Sequence, residues 1–549
     1  ANEAYNMPQV VRLEGSLNEQ SFSKAYESLL SRHEVLRTIF IEDVEGNPRQ
    51  CVLPITDDRF KIHIEDYSHY TQGEKDVAIS SYVGEETSKG FILDQGPLIR
   101  CSLLKESENS YVWVLVMHHI VSDGWSMGVL HREWSEFYNA ELENRAANLS
   151  ELSIQYKDYA SWHNAQLQSE EINQHKDYWL EQFKGELSVL ELPSDKPRPK
   201  VMTYNGASVY RELDKQTTDK LRAFSQQQGG TMFMTLQTAL NILLHKYTGQ
   251  EDIVIGSPIA GREHPDLEGQ VGFYLGALPI RTTFSKEDTI TELYQSVKQN
   301  TLDAYSHQLY PYDELVDALN LTRDMSRNPL FDVWLDYHSQ EIESEGVSFK
   351  QIEQKDYFLT TGYHQTKFDL TIVLEELEGG GLGIYWEYNH DVYSASQMHQ
   401  MEGHFSDLLA SLGSQQSCVL SDYKTLSTGD TKKQLAHNPS PSPFDQRTVV
   451  ERFGELVKTS PKARALLFGS KEMSYYELEE QSNRLAKYLQ TEHGIHKGDR
   501  VVIKLERSIA QVVSVLGVLK LGAAYVPIDT DYPKERIAFM EKDSGSKVI

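Results

Sequence analysis

The sequence predicts an α/β protein built from several units, and three observations point there. The apolar run from Tyr111 to Met117 has the length and composition of a buried strand, and a helical pattern begins seven residues after it. A second region, reaching to about residue 413, repeats the mixture of strand-like runs and amphipathic helices. Beyond a polar connector the order becomes helix, strand, helix, strand, which implies a parallel sheet with crossover helices. The 549 residues correspond to about three or four units at roughly 150 residues each.

The elements follow in order. Asn18 is placed to cap a helix whose buried face is Phe22, Ala25, Tyr26, Leu29 and Leu30. After Gly124, the residues Met127, Leu130, Trp134 and Phe137 recur at spacings of three and four, so a helix starts there and Asp123 can cap it. Residues 191–200, with three prolines and mixed charge, read as an extended connector. A helix from Thr231 buries Phe233, Leu236, Leu240, Leu243 and Leu244; strand-like runs follow at Ile253–Ile255, Phe368–Leu374 and Leu382–Tyr388. An amphipathic helix covers Ser394–Leu412. From Gly413 to about Pro443 the chain is polar and ends in Asn438-Pro439-Ser440-Pro441-Ser442-Pro443, a linker composition. The last unit opens with a helix carrying Val449, Phe453, Leu456 and Val457. Strands are expected at Ala465–Phe468, Val501–Leu505 and Ala524–Ile528, with a capping box at Ser474–Glu477 and a helix stop at Gly522.

Composition narrows the function. The formal charge of −28, from 53 basic and 81 acidic residues, argues against a nucleic-acid or anionic-membrane surface. Cys51, Cys101 and Cys418 are widely spaced, so neither a disulfide frame nor a metal-binding pair is expected. The opening Ala1-Asn2-Glu3-Ala4-Tyr5-Asn6 carries no charged-then-apolar signal, and no run has membrane-spanning length. A cytoplasmic, reducing location is the expectation.

The chemistry concentrates in Met117-His118-His119-Ile120-Val121-Ser122-Asp123-Gly124-Trp125-Ser126. A buried strand delivers two histidines to its exposed end, with a carboxylate and a glycine just beyond. Acyl transfer uses such parts: a base or aligning group, something to hold it, and a close backbone approach to an oxyanion. Adjacent strand residues face opposite ways, so His118 and His119 cannot share one job, and spacing alone does not say which is functional. Gly124 either permits the turn or leaves its amide open to an oxyanion. No third ligand stands near His119 and Asp123, so no metal is expected. Tyr156, Tyr159 and Trp162 read as helix packing.

These residues resemble the condensation domain of nonribosomal peptide synthetases. His118 to Ser126 matches that family's HHxxxDGxS signature. Residues 32–40, from Arg32 to Phe40, resemble its RHExLRTxF element, and residues 156–162, from Tyr156 to Trp162, its YxDFAxW element. Residues 255–262, ending in Arg262, are similar to its IGTPVANR stretch. Residues 307–316 and 323–331 match two later elements. In the last unit, residues 473–478 and 519–529 resemble the first two motifs of adenylation domains. The resemblance covers nearly the whole chain in the family's order. The sequence departs from the pattern in three places. The family's opening motif is missing ahead of Tyr5, Leu275-Gly276-Ala277 replaces the commoner Val-Asn-Thr, and the later adenylation motifs are not reached by Ile549.

The resemblance implies two chloramphenicol-acetyltransferase-like lobes in a V, forming a pseudo-dimer, followed by a partial parallel α/β adenylation-type subdomain. The implied ranges are 1–175 and 176–430 for the lobes, 431–447 for a linker and 448–549 for the adenylation portion, which is expected to be incomplete and inactive. It assigns His119 and Gly124 to catalysis. His118 and Asp123 become structural, with Arg262 the candidate salt-bridge partner of Asp123; breaking such a buried pair costs about 3–5 kcal/mol. The implied reaction joins a donor acyl or peptidyl thioester to an acceptor aminoacyl thioester. Both ride on 4′-phosphopantetheine arms of donor and acceptor peptidyl carrier proteins, so no cofactor is covalently bound to this chain. His119 serves either as a base or as an aligning group. The alternatives are an epimerisation domain of the same superfamily and a catalytically silent docking or gating module. A heterocyclisation domain would carry aspartate in place of His118.

Overall fold

The computed structural model describes residues 5–321, 324–339, 348–357, 365–424, 428–438 and 445–549. The chain divides into two compact units, Ala1–Lys433 and Gln434–Ile549. Arg323 of the later motif and residues 439–443 of the linker lie outside the described residues.

Two sheets organise the first unit. In the first, strand Ser110–His118 runs between Asn6–Gly15 and Ile99–Ser107, antiparallel to both. His63–Asp66 extends this sheet in parallel fashion on one side, and Ile352–Asp356 closes the other. Residues Tyr111 to His118 are all buried, as a central strand covered on both faces requires. Helix Glu19–Arg32 packs against helix Gly124–Leu142 on one face. Trp134 is the anchor of that layer, with its ring 4.9 Å from Phe22, 5.1 Å from Tyr26 and 4.8 Å from Trp113. Asn18 caps the first helix as its sequence suggests, accepting from the Ser21 amide at 2.9 Å.

The second sheet has six strands in the order Gly206–Leu213, Leu382–Asn389, Leu370–Glu376, Val333–His338, Asp252–Ile259, Gly276–Thr283. Helix Met232–Thr248 is its central support, with Leu236, Leu240, Leu243 and Leu244 fully buried. Helices Lys215–Gln227, Ile290–Ser306 and Ala395–Leu412 pack beside it. Strand Ile352–Asp356 falls late in the sequence yet pairs with Asn6–Gly15 of the first sheet. Its sequence, IEQKD, is too polar to announce a strand. It serves as an edge, where only one ladder of hydrogen bonds needs satisfying.

The polar stretch after Gly413 contains a helix, Thr428–His437. Asp430 meets His404 Nε2 at 3.0 Å, and the Tyr247 hydroxyl meets His404 Nδ1 at 2.7 Å. Linker composition therefore did not exclude a short, docked helix.

In the second unit, helices Val449–Thr459, Tyr475–His493 and Ile509–Lys520 pack with two strand pairs. Strands Arg500–Ile503 and Ala524–Pro527 are parallel, as the alternating rhythm predicts. The first expected strand instead folds back as a hairpin, Arg464–Phe468 against Lys471–Ser474. Its tight turn contains Gly469, at φ +62°, and Ser470, a pairing suited to such turns. Ser474 and Glu477 form the expected capping box, and Gly522 stands past the helix end at φ +67°. Among the described residues no helix is long and apolar enough to cross a membrane.

Candidate active site

The strand ends at His118, one residue earlier than an alternating pattern would need for both histidines. His119 opens a short 3₁₀ turn, His119–Val121, so the two rings diverge through a change of backbone as well as through strand alternation. His118 is buried between Tyr5, stacked at 5.9 Å, and the edge of Phe91 at 6.0 Å. Its Nδ1 accepts from the Ile120 amide at 3.0 Å, which ties the ring to the turn it precedes. His118 thus has a packing role.

His119 is half-buried, and its ring meets Phe273 edge to face, with centroids 5.1 Å apart and planes at 88°. Its Nδ1 is buried without a hydrogen-bond partner among the described residues. Burial, reinforced by the positive charge of Lys367, lowers its pKa to about 4. The imidazole is therefore neutral at physiological pH. Lys367 is itself pushed below the ordinary lysine value by burial, and its ammonium lies 5.3 Å from the centre of the Tyr5 ring.

Asp123 caps helix Gly124–Leu142, and its carboxylate is almost wholly enclosed. Oδ1 accepts from the Ser126 amide at 2.8 Å, the Ser126 hydroxyl at 2.6 Å and Arg262 Nη2 at 3.1 Å. Oδ2 accepts from the Tyr274 amide at 3.0 Å. The Asp123 and Arg262 side chains are 2% and 1% exposed, so the pair is fully buried. The other side of the guanidinium donates to the carbonyls of Leu267, at 2.5 Å, and Gln270, at 2.7 Å, and its cation lies 4.2 Å from the centre of the Tyr274 ring. The bonds from Arg262 and from the Tyr274 amide to Asp123 reach across between the motif helix and residues 262–274. Ser126 Oγ also accepts from the Gly272 amide at 3.1 Å, and the Tyr156 hydroxyl donates to the Phe273 carbonyl at 2.8 Å. Phe273 is thereby held on a backbone pinned before, at and after it.

Gly124 is the first residue of the helix and is exposed. Its φ is not in the left-handed region, and a Cβ built there meets nothing within 4 Å. The turn does not require glycine. What glycine provides is open space beside a helix-terminal amide, one of the donors that a helix leaves free.

The structure thus brings together Asp123 and Arg262, separates His118 from His119, and leaves Gly124 open. Tyr156 does more than pack: its hydroxyl fixes the Phe273 backbone. Reading the sequence missed Ser126, Phe273, Tyr274 and Lys367. Ser126 stood in the motif and could have been suspected as a helix-cap partner; Phe273 and Tyr274 adjoin the Leu275-Gly276-Ala277 departure from the family pattern, whereas Lys367 has no local signal. Among the described residues, no three His, Cys, Asp or Glu side chains are grouped to hold a metal.

Comparison with known proteins gives a consistent picture. Residues 1–435 match the family described as condensation domain, and residues 453–549 match AMP-binding enzyme. Bacitracin synthase 2 of Bacillus licheniformis is 35% identical over 552 aligned residues, covering 100% of this chain and 20% of that protein. The chain therefore spans about a fifth of that relative's length. A four-domain nonribosomal peptide synthetase bound to AMP and glycine superposes with a TM-score of 0.71 at 22% identity, covering 100% of this chain and 41% of that one. The first condensation domain of the calcium-dependent antibiotic synthetase superposes at 0.61 with 18% identity, covering 78% and 95%. These likenesses establish the fold.

The pinned loop yields a prediction. A Cβ at position 272 would lie 2.3 Å from Tyr156 Cδ2 and 2.9 Å from Tyr274 Cε2. Gly272→Ala should cost about 1–3 kcal/mol, read as a lower urea midpoint at unchanged slope. A midpoint equal to that of the wild type would show that the loop yields freely.

Proposed function

Because this chain belongs to the condensation-domain family, we propose that its first unit forms an amide bond between two carrier-bound acyl groups. The free amine of an acceptor aminoacyl thioester attacks the carbonyl of a donor acyl or peptidyl thioester. The carbon–sulfur bond breaks, the donor arm leaves as thiolate, and the proton lost by nitrogen ends on that sulfur. The phosphopantetheine arms belong to partner carrier proteins and count as substrate. Arms entering from opposite mouths of a passage between the lobes would meet at His119.

What supports this reading is the half-buried imidazole just past the end of the buried strand, packed edge to face with Phe273, with its Nδ1 enclosed without a partner among the described residues and its pKa lowered to about 4 by burial and Lys367. Such a ring is a weak base but a competent hydrogen-bond acceptor for the attacking amine. We therefore read His119 as aligning the nucleophile. Alignment can supply about 7–11 kcal/mol, against about 10²–10⁴-fold for general-base assistance. Gly124, an open amide at a helix N-terminus, is read as a donor to the developing oxyanion.

Two outcomes test this. His119→Ala should lower single-turnover amide formation by about 10²-fold or more while the thermal midpoint stays near that of the wild type; transfer at the wild-type rate would remove His119 from the mechanism. The second concerns pH. Since His119 is already neutral above about pH 5, transfer should fall tenfold per unit below the acceptor amine's pKa, about 8, with no second break near 6.5. A slope of two beginning near 6.5 would show that a histidine of ordinary pKa must lose a proton.

A further inference from the structure

Phe273 stands out among the residues not yet given a task. A phenylalanine that is 39% exposed normally gains by turning inward, yet this ring stands in the open against an imidazole. The Ser126 hydroxyl holds the amide of Gly272, Tyr156 holds the carbonyl of Phe273, and Asp123 holds the amide of Tyr274. With three consecutive residues anchored, the Phe273 side chain projects from a fixed point. Its ring and the His119 ring meet edge to face, 5.1 Å between centroids and nearly perpendicular. The rest of the side chain is partly exposed, at 39% for the residue.

Resting on the function proposed above, we propose that Phe273 is a positioning residue for His119 and the residue that limits the side chain accepted beside it. The edge-to-face contact restricts rotation of the imidazole about its Cβ–Cγ bond, so the nitrogen that meets the amine keeps one direction. An edge-to-face pair contributes beyond simple area burial, and the geometry is directional. The exposed part of the same ring presents an apolar wall beside the imidazole. It favours an aminoacyl group whose side chain lies flat on it and excludes one that must occupy the ring's own volume. The other charged groups acting on the imidazole are Lys367 and Asp123, the latter held by Arg262; none of them is altered by changing Phe273.

The test uses the full chain, with a donor carrier loaded with an alanyl thioester and acceptor carriers loaded with glycyl, leucyl or tryptophanyl thioesters. Phe273→Ala should lower kcat for glycyl transfer about tenfold, as a loosened aligning group does. It should raise the tryptophanyl-to-glycyl ratio by about tenfold, as removal of a wall does. Phe273→Leu should recover most of the glycyl rate but not the selectivity. Independently of activity, the His119 ring proton followed by NMR should titrate closer to the ordinary histidine range in Phe273→Ala than in the wild type. An unchanged acceptor ratio together with an unchanged His119 titration would overturn the proposal. If the wild type transfers nothing to any acceptor, the amide-forming function fails. The ring titration then still decides whether Phe273 governs His119.

Discussion

Asp123 and Arg262 are charged groups from distant parts of the chain, buried side by side with almost no access to water. Removing two ions from solvent costs several kcal/mol each, and attraction between them alone does not reliably offset it. Here most of the remaining hydrogen-bonding capacity is filled: two groups of Ser126 and the Tyr274 amide bond the carboxylate, and the Leu267 and Gln270 carbonyls accept from the guanidinium, whose Nε is left buried without a partner among the described residues. The arrangement works only when the motif helix and residues 262–274 sit in one register. A pair that tolerates little displacement is a poor general source of stability but an effective alignment device.

Much of the candidate site follows from that constraint. The carboxylate is occupied holding Arg262, Ser126 and Tyr274, so it acts on His119 only through its charge, and that raising effect is outweighed by burial and Lys367. The loop it holds carries Phe273 to the imidazole, and Gly272 is small because the Tyr156 ring passes where a Cβ would be. In the proposed reaction, a neutral aligning ring and an open amide at Gly124 act together, one on the nucleophile and one on the oxygen.

The sequence made the framework legible where local rules govern. Caps at Asn18, Asp123 and Ser474, the helix from Thr231 and the run from Tyr111 are set by neighbouring residues and carry their own signal. The motif's order supplied Arg262 as partner of Asp123, a pairing that no local pattern could give. Strand Ile352–Asp356 was illegible because an edge strand needs no apolar face, and the hairpin at Gly469 was hidden within an otherwise alternating rhythm. Phe273 and Lys367 were illegible for a different reason. Their meaning lies in what they approach in space, and neither is unusual for its sequence neighbourhood.

The most direct measurement is a double-mutant cycle on Asp123→Asn and Arg262→Met, read in urea stability and in single-turnover transfer. If one buried pair sets the register of the site, the double variant should be about as impaired as the worse single one. The coupling would then be about 1–3 kcal/mol in stability, with a matching non-additivity in rate. Losses that simply add, in both readouts, would mean that the two residues act separately and that something else aligns the lobes around His119.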